Sequence, residues 1–374
     1  MIDRFVTAPS AYVPSSRSLS LPRLDDARTM RARAGLLADA WYAAALSREL
    51  TSARPLARTI LETPLVLWRS DGARAVAMED RCAHRNAPLS RGSLFDGRIG
   101  CPYHGWVYDA SGACVAVPSE GECRPRAECR VPSFPVREQH GLVWVWMGEG
   151  QPTRDPFPMP YWAEPEWGTY YMITEFPNEV THLVENFMDV PHTTFVHHGW
   201  FRKPSHKRVP VTVERTADSV LVTYDLPNDE IGFTSRILNP DGAPTVHTDK
   251  FYMPNTTRVD YTFGPRRGFT ITSTCTPRGP FDTVVYTLIS YRLGWLNAFA
   301  KAWLPLYTRQ VITQDVDIMR MQGDNLRRFG GEPRFNSTAA DLLHDYVESL
   351  RDHAQSGGGG VAPEPRVDHI EFWI

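Results

Sequence analysis

The sequence predicts an α+β protein in which a small all-β domain precedes a larger domain of antiparallel strands and helices. Short strand-like runs surround two Cys/His pairs in the first part of the chain. From residue 170 onward, strands are followed by helical patterns, the longest of which spans 296–328. A proline-rich linker at 151–165 separates the two parts, and 374 residues suffice for two domains.

Composition and charge exclude several classes of protein. The formal net charge of −3 gives no bulk attraction to nucleic acid or to an anionic membrane. No apolar run reaches the roughly 18 residues that a membrane-spanning helix needs. The N-terminus has no apolar signal region, so we expect a cytoplasmic protein. Residues 1–37, which contain several Pro and Ser residues, are expected to be a loosely ordered leader.

The first domain is expected over residues 38–150. Strand-like runs occur at 57–69, 75–78, 113–117 and 141–146. The run at 75–78 leads directly into Cys82, which places the Cys/His pairs at one tip of an all-β domain.

Two short motifs in this domain supply one thiolate and one imidazole each. They are Cys82 with His84, and Cys101 with His104, separated by residues 85–100. A [2Fe–2S] cluster with two Cys on one iron and two His on the other needs this supply. The same four residue types also form tetrahedral zinc sites, but zinc modules usually separate the Cys pair from the His pair. The alternation within each motif favours the iron–sulfur cluster.

The second domain, expected over 166–355, combines strands with three helical segments. Strands are expected at 170–177, 209–216, 219–225, 249–253, 257–263, 268–276 and 283–292. Helical patterns span 179–197, 296–328 with an interruption at Pro305, and 339–353. Residues 356–374 are expected to be a Gly linker and a tail.

A second metal site is indicated in the helical segment at 179–197. Asp189, His192 and His197 follow one another at short spacing, and Pro191 suggests a distorted helix there. Two imidazoles and one carboxylate form the facial triad of a non-haem Fe(II). The missing carboxylate is Asp315 or Asp317, which cannot share a helix face. The residues alone leave that choice open.

Both halves of the chain resemble the Rieske non-haem iron oxygenases. The first motif matches C-x-H followed by C-P-x-H-G-W, and the second matches N-x₂-D-x₂-H-x₄-H at Asn186, Asp189, His192 and His197. A late [E/Q]-D-x₆-Q pattern is matched at Gln314, Asp315 and Gln322. The resemblance covers roughly residues 38–330. It implies a helix-grip second domain, iron ligation by His192, His197 and Asp315, and a bridge from Asp189 to His104 of a neighbouring subunit.

The resemblance also implies a function. It indicates the terminal oxygenase of a multicomponent system, with one [2Fe–2S] cluster and one Fe(II) per subunit, that uses O₂ on a small organic substrate. The chain length is similar to that of the branch that hydroxylates or demethylates. The implied partners are a ferredoxin or flavin reductase and a head-to-tail homotrimer. A cis-dihydroxylating dioxygenase and an electron-transfer protein without catalysis are the alternatives.

Several residues keep more than one interpretation. His247 is a candidate for the substrate pocket, whereas His182, His198 and Asp317 are expected to be structural or exposed. The aromatic residues of the predicted strands are pocket or packing residues: Phe251, Tyr252, Tyr261, Phe263, Phe269, Tyr286 and Tyr291. Arg236, Lys250, Arg258 and the basic run at 202–208 are candidates for contact with a substrate anion. Cys123 and Cys129 have no assigned role.

Overall fold

The strand and helix boundaries come from a computed structural model, which describes residues 37–121, 126–197, 207–225, 238–331, 334–357 and 361–374. Some predictions fall on other residues and lie outside the described ranges: the leader up to residue 36, Cys123, His198, Arg236, and Arg202 and Lys203 of the basic run.

The first domain consists of twelve short strands in the part of the chain described. They are β1 (Trp41–Leu46), β2 (Leu56–Ile60), β3 (Thr63–Arg69), β4 (Ala75–Glu79), β5 (Ser93–Phe95), β6 (Arg98–Gly100), β7 (Val107–Tyr108), β8 (Ala113–Ala116), β9 (Arg126–Arg130), β10 (Ser133–Phe134), β11 (Val136–Gln139) and β12 (Leu142–Trp146). They pair into three antiparallel sheets with the orders β1-β12-β11, β10-β4-β3-β2 and β5-β6-β7-β8-β9.

Strand β3 separates two hydrophobic cores of this domain. Leu65 and Leu67 pack into one core, and Val66 and Trp68 pack into the other. Successive side chains of a strand point to opposite faces, so alternate residues of β3 enter different cores. All four side chains are fully buried, since a core covers each face of the strand. The second core contains Cys82 and Cys101, so β3 ties the Cys/His tip to the rest of the domain.

The second domain is one antiparallel sheet covered by helices. Its strands are β13 (Gly168–Phe176), β14 (Arg208–Arg215), β15 (Ser219–Tyr224), β16 (Thr245–Tyr252), β17 (Thr256–Phe263), β18 (Arg267–Gly279), β19 (Asp282–Arg292) and β20 (Arg366–Trp373). Among the described residues, its α-helices are α1 (Val180–Met188), α2 (Asn297–Arg328) and α3 (Leu342–Gln355). The strand order is β13-β19-β18-β17-β16-β15-β14-β20. The α+β class, the antiparallel sheet and the long helix are therefore as predicted.

Two helix predictions need correction. The helix expected over 179–197 ends at Met188, because Asp189 has extended backbone angles and Pro191 opens a separate 3₁₀ turn over Pro191–Thr194. The interruption expected at Pro305 is wrong, since α2 continues through it. The backbone carbonyl that loses its partner there belongs to exposed Lys301, where water can replace the hydrogen bond.

The segment expected to be a tail contains the edge strand of the sheet. Strand β20 pairs with β14 along its whole length, from Arg208 opposite Trp373 to Arg215 opposite Arg366. Phe372 is buried in the main core of the second domain. Strand β14 is therefore not the edge of the sheet, because β20 pairs with its outer side.

One row of ring side chains runs across the sheet near one end of its strands. Its members stand directly opposite one another on adjacent strands from β15 to β19: Tyr224, His247, Tyr261, Phe269 and Tyr291. The row ends at Gly168 on β13, where a Cβ atom would lie 2.3 Å from the ring of Tyr291. We call these five residues the ring row.

The two domains share hydrogen bonds across the seam between β1 and the second sheet. The hydroxyl of Tyr286 donates to the carbonyl oxygen of Ala44 at 2.6 Å, and that of Thr276 donates to Ala43 at 2.8 Å. Both hydroxyls are buried, so these bonds fix the first domain against β18 and β19. Across the described ranges, no helix combines the length and apolar character needed to cross a membrane.

Candidate metal centres

The two Cys/His motifs form adjacent loops at the tip of the first domain. In the first loop, the amide of Asn86 donates to the carbonyl of Cys82 at 2.9 Å. In the second, the amide of Gly105 donates to the carbonyl of Cys101 at 3.1 Å, and Gly105 has a φ of 72°. The rings of His84 and His104 are 4.7 Å apart. The structure thus brings together the four side chains that the sequence singled out.

The four side chains differ in exposure, and His84 is half-buried. Cys82 and Cys101 are buried, whereas His104 is exposed. Burial raises the pKa of the Cys101 thiol, and the neighbouring Cys82 raises it further. A thiol with a raised pKa needs positive charge nearby before it ionises, and an iron ion supplies it. The donor set and its burial therefore fit a [2Fe–2S] cluster.

The second group consists of His192, His197 and Asp315. Their potential ligand atoms all lie within 4.8 Å of one another. Asp315 Oδ1 is 3.1 Å from His197 Nε2 and 3.6 Å from His192 Nε2. The turn after α1 supplies the two histidines, and the middle of α2 supplies the carboxylate. This set of two imidazoles and one carboxylate fits the Fe(II) facial triad.

Amide side chains orient two of these three groups. His197 Nδ1 lies 3.0 Å from Gln314 Oε1, which can only accept, so Nδ1 carries the proton and Nε2 is left for a metal. Asn186 Nδ2 donates to Asp315 Oδ1 at 3.2 Å. Asn186 therefore holds the carboxylate of Asp315 in this position.

Asp189 lies beside His192, the remaining residue of the three. Its Oδ2 is 3.6 Å from His192 Nδ1, which is beyond hydrogen-bond distance. The carboxylate is 28% exposed, while the side chain of Asp315 is only 8% exposed. Asp189 thus lies between a metal-site histidine and the molecular surface.

The charges of His192, Asp189 and Asp315 are arranged as a bound cation would need them. Burial lowers the pKa of His192, but Asp189 and Asp315 outweigh this and the resulting pKa is about 9. Burial raises the pKa of Asp315, yet His192 and His197 bring it to about 2. A bound divalent ion would take the place of the proton on His192.

The structure separates the two candidate aspartates of α2. Asp315 is buried in the metal group, whereas the carboxylate of Asp317 is 60% exposed and pairs with Arg320 at 3.1 Å. Asp317 is therefore a surface residue, as the sequence suggested.

Asn178 fixes α2 against the segment that carries the histidines. Its Nδ2 donates to the carbonyl of Met319 at 3.0 Å and to Gln322 Oε1 at 2.8 Å. Gly323 allows the close approach, since a Cβ there would lie 2.6 Å from the carbonyl oxygen of Pro177. This clamp holds Asp315 in register with α1. Sequence reasoning missed Asn178.

A cavity of about 120 Å³ reaches the three side chains of the metal group. Much of its wall is aliphatic or aromatic and comes from β17, β18, β19 and α2, including Val259, Phe269, Ile271, Ile289 and Val311. His247 and Asp249 from β16 also line it. The suggestion that His247 faces the pocket is thus confirmed.

The other pocket candidates divide between the two faces of the sheet. Tyr261 and Phe269 line the cavity, whereas Tyr286 faces the first domain and Tyr252 packs on Phe157. Phe251, Phe263 and Tyr291 are core residues. Lys250 and Arg258 pair with Asp260, at 3.2 and 2.9 Å, so they are not available to a substrate anion.

His182 and Cys129 contact residues outside the two candidate metal centres. His182 is buried on α1 between Glu179 and Glu185, at 3.4 and 3.6 Å. Burial lowers its pKa, but these two carboxylates raise it to about 9. Cys129 packs against the core beneath the Cys/His loops.

Two family profiles match successive parts of the chain. The profile described as Rieske [2Fe-2S] domain matches residues 40–135. The profile described as vanillate O-demethylase oxygenase C-terminal domain matches residues 179–344. The first match contains the four Cys/His residues of the tip, and the second contains His192, His197 and Asp315.

Similar proteins include oxygenase components. The chain is 38% identical over 225 residues to the dicamba O-demethylase oxygenase component of Stenotrophomonas maltophilia, covering 59% of this chain and 62% of that one. It is 35% identical over 164 residues to a vanillate O-demethylase oxygenase subunit of a Pseudomonas species, covering 42% and 47%. These alignments span roughly half the length of the relatives.

A solved structure of dicamba monooxygenase bound to dicamba has a similar fold. Its TM-score with this chain is 0.72 at 25% identity, and the alignment covers 85% of this chain and 97% of that one. The similarity therefore extends over both domains.

Proposed function

We propose that this chain, which matches a Rieske [2Fe-2S] domain and an oxygenase C-terminal domain in succession, is the terminal oxygenase of a multicomponent Rieske non-haem iron system. In this role it hydroxylates, or oxidatively demethylates, a small aromatic substrate with O₂ and electrons from another protein. The observation that carries the proposal is that the triad of His192, His197 and Asp315 opens on an apolar cavity. An electron-transfer protein needs neither feature.

The protein supplies ligands, orientation and a dry pocket. When bound, the cluster relays single electrons and the mononuclear iron activates O₂, which are reactions that side chains alone do not perform. Cys82, Cys101, His84 and His104 hold the cluster. Gln314 and Asn186 keep His197 and Asp315 in the orientation that binding needs.

The cavity favours a compact, largely apolar substrate. Its volume of about 120 Å³ is similar to that of an apolar cavity of 150 Å³ that accommodates benzene. The relatives named after dicamba and vanillate are O-demethylases. A ring carrying a methoxy or methyl group is therefore the substrate we propose, with monooxygenation as the reaction.

The partners we propose are a ferredoxin or flavin reductase and two further copies of the chain in a head-to-tail trimer. The exposed ring of His104 and the partly exposed carboxylate of Asp189 support this arrangement. Tyr103, next to His104, is 65% exposed. In the trimer, His104 of one copy would approach Asp189 of the next. A cytoplasmic location suits a protein with free thiols.

Metal and sulfide analysis of anaerobically purified protein, with EPR before and after reduction by dithionite, tests the proposal. We expect two cluster irons, one further iron and two sulfides per chain, with a rhombic signal of low average g on reduction. Zinc without colour would exclude the proposal. Cluster irons alone, with no uptake of added Fe(II), would indicate an electron carrier instead.

A further inference from the structure

A buried polar group stands in the otherwise largely apolar wall of the cavity. His247 Nε2 is 2.9 Å from Asp249 Oδ1, and the hydroxyl of Tyr224 donates to Asp249 Oδ2 at 2.9 Å. The imidazole of His247 is stacked between two rings of the ring row, with centroid distances of 4.4 Å to Tyr224 and 4.2 Å to Tyr261. His247 and Asp249 are 1% and 2% exposed.

These contacts fix the imidazole in position. Stacking on both faces prevents the ring from tilting, and the bond to Asp249 prevents its rotation. Tyr224 holds Asp249 in turn, and its hydroxyl lies 3.4 Å from the carbonyl oxygen of Met188, next to Asp189. The group is therefore connected to the segment that carries the metal-site histidines.

Packing alone does not require polar residues here. The other positions of the ring row are Tyr or Phe, and the residues level with Asp249 on the neighbouring strands are Val222 and Val259. Replacing two buried, hydrogen-bonded groups by apolar groups of the same shape can be nearly neutral or stabilising. Packing in this wall therefore does not explain why these two residues are polar. His247 and Asp249 line the same cavity as the metal triad, so their polarity concerns what enters the cavity.

We propose that His247 is a specificity-determining residue, which forms a hydrogen bond with a polar substituent of the substrate while the substrate ring packs on the apolar wall. Asp249 and Tyr224 are positioning residues that hold the imidazole. The proposal rests on the proposed function for the statement that the cavity binds a substrate. A site built to form a hydrogen bond discriminates strongly against an analogue that lacks the bonding group.

The test compares the binding of three ring compounds of similar size to the iron-loaded protein under anaerobic conditions. They are benzoate, phenol and toluene, and calorimetry gives their dissociation constants. We expect benzoate or phenol to bind at least about tenfold more tightly than toluene, the equivalent of one well-made hydrogen bond. Whichever of the two is preferred identifies the substituent as a carboxylate or a hydroxyl.

Two variants assign this preference to the imidazole. His247→Phe keeps a ring in the ring row and should reduce the preference to less than about twofold. Val246→Phe adds the same ring one residue earlier, where the side chain is 53% exposed on the other face of β16, and should leave the preference unchanged. Asp249→Leu should weaken the preference while toluene binding is retained.

Two results would overturn the proposal: wild-type protein that binds the three compounds equally or not at all at millimolar concentration, or a His247→Phe variant that keeps the preference. Iron analysis of the same samples separates this failure from failure of the proposed function. With the mononuclear iron present and no preference, only the role of His247 is refuted. Without that iron in any preparation, the oxygenase assignment itself fails.

Discussion

Asp315 and Asp317 are two positions apart on α2, and their surroundings determine which of them can bind a cation. Asp315 accepts a hydrogen bond from Asn186 and faces two imidazoles, whereas Asp317 faces solvent and Arg320. A carboxylate with a pKa of about 2 is ionised throughout the physiological range. Asp315 is therefore ready to bind a metal without a change in its own protonation.

Replacing Asp315 tests this difference at a single residue. Asp315→Asn removes the anionic ligand but keeps the shape, so the affinity for Fe(II) should fall by on the order of 100-fold or more. The [2Fe–2S] absorption should persist. Competition with a chelator measures the iron affinity. Asp317→Asn is the matched control and should bind iron as the wild type does; equal losses in both variants would contradict the assignment.

The residues alone identified six of the seven candidate ligands, and the resemblance selected Asp315 and also named Asn186, which holds Asp315. Short spacing within one loop or turn identifies Cys82, His84, Cys101, His104, His192 and His197, because neighbours in sequence are neighbours in space there. Gln314 was noted only as part of a pattern, and Asn178 and Asp249 were missed. Their roles depend on partners up to 144 residues away, which no local pattern shows. Alternation along β16 could have placed Asp249 on the same face as His247.

At the scale of elements, α1 and α3 meet through an unusual number of ionisable groups. Glu348 on α3 is partly buried, which raises its pKa, and Glu185, Asp352 and Asp345 raise it further, to about 7. His182 on α1 has a pKa of about 9. Both groups bind a proton more strongly in the folded state than in the unfolded one. The contributions of these two groups to stability should therefore fall as the pH rises.

Glu348 gives the more direct test. Between its unfolded pKa of 4.5 and its folded pKa of about 7, the folded state holds a proton that the unfolded state has lost, so the free energy of unfolding falls as pH rises through this window. Glu348→Gln should raise that free energy by about 1 to 3 kcal/mol at pH 8 and leave it nearly unchanged near pH 4. Thermal denaturation at both pH values measures the difference.

A control supports that comparison. Glu164→Gln changes an exposed carboxylate away from the two helices and should have little effect at either pH. A Glu348→Gln variant that is equally stabilised at both pH values would show that packing, not charge, is responsible.

The boundaries of helices and strands were predicted well where the periodicity of the side chains was strong. A prediction that relied on a single proline was wrong. The strands of the second domain were expected within a few residues of their observed ends. Pro305 was expected to interrupt α2, but buried Leu304 and Thr308 anchor the helix on both sides of it. The strand β20 was missed because most of its side chains are exposed and its apolar residues do not alternate strictly.

At the scale of the whole molecule, the two candidate metal centres belong to different domains. The histidines of the first lie at an exposed tip, and Asp189 lies at the partly exposed edge of the second. If turnover needs His104 of one subunit beside Asp189 of the next, each subunit depends on its neighbour.

Mixed assemblies test this dependence. Cys101→Ser should disable the cluster, and Asp315→Asn should disable the mononuclear iron, so neither variant alone should consume O₂ with substrate. When the two variants are coexpressed in equal amounts, about half of the chains carry an intact cluster and the other half an intact iron site. An intact cluster then faces an intact iron site at about a quarter of the contacts between subunits, so about a quarter of wild-type O₂ uptake should return. Differently tagged chains allow mixed assemblies to be purified. Mixed assemblies that are inactive, although each chain retains its own intact centre, would contradict electron transfer between subunits.

The metal ligands and much of the cavity wall belong to different elements, which affects how the substrate specificity of such a protein can evolve. The mononuclear ligands belong to the turn after α1 and to α2, which the Asn178 clamp and Gly323 hold together. Much of the cavity wall, including His247, is carried by the sheet. Substitutions on the wall strands can therefore change which compound is accepted without moving the metal. Descendants of one ancestral gene could acquire new substrates while Gly323, where even a methyl group would clash with the backbone, stays constrained.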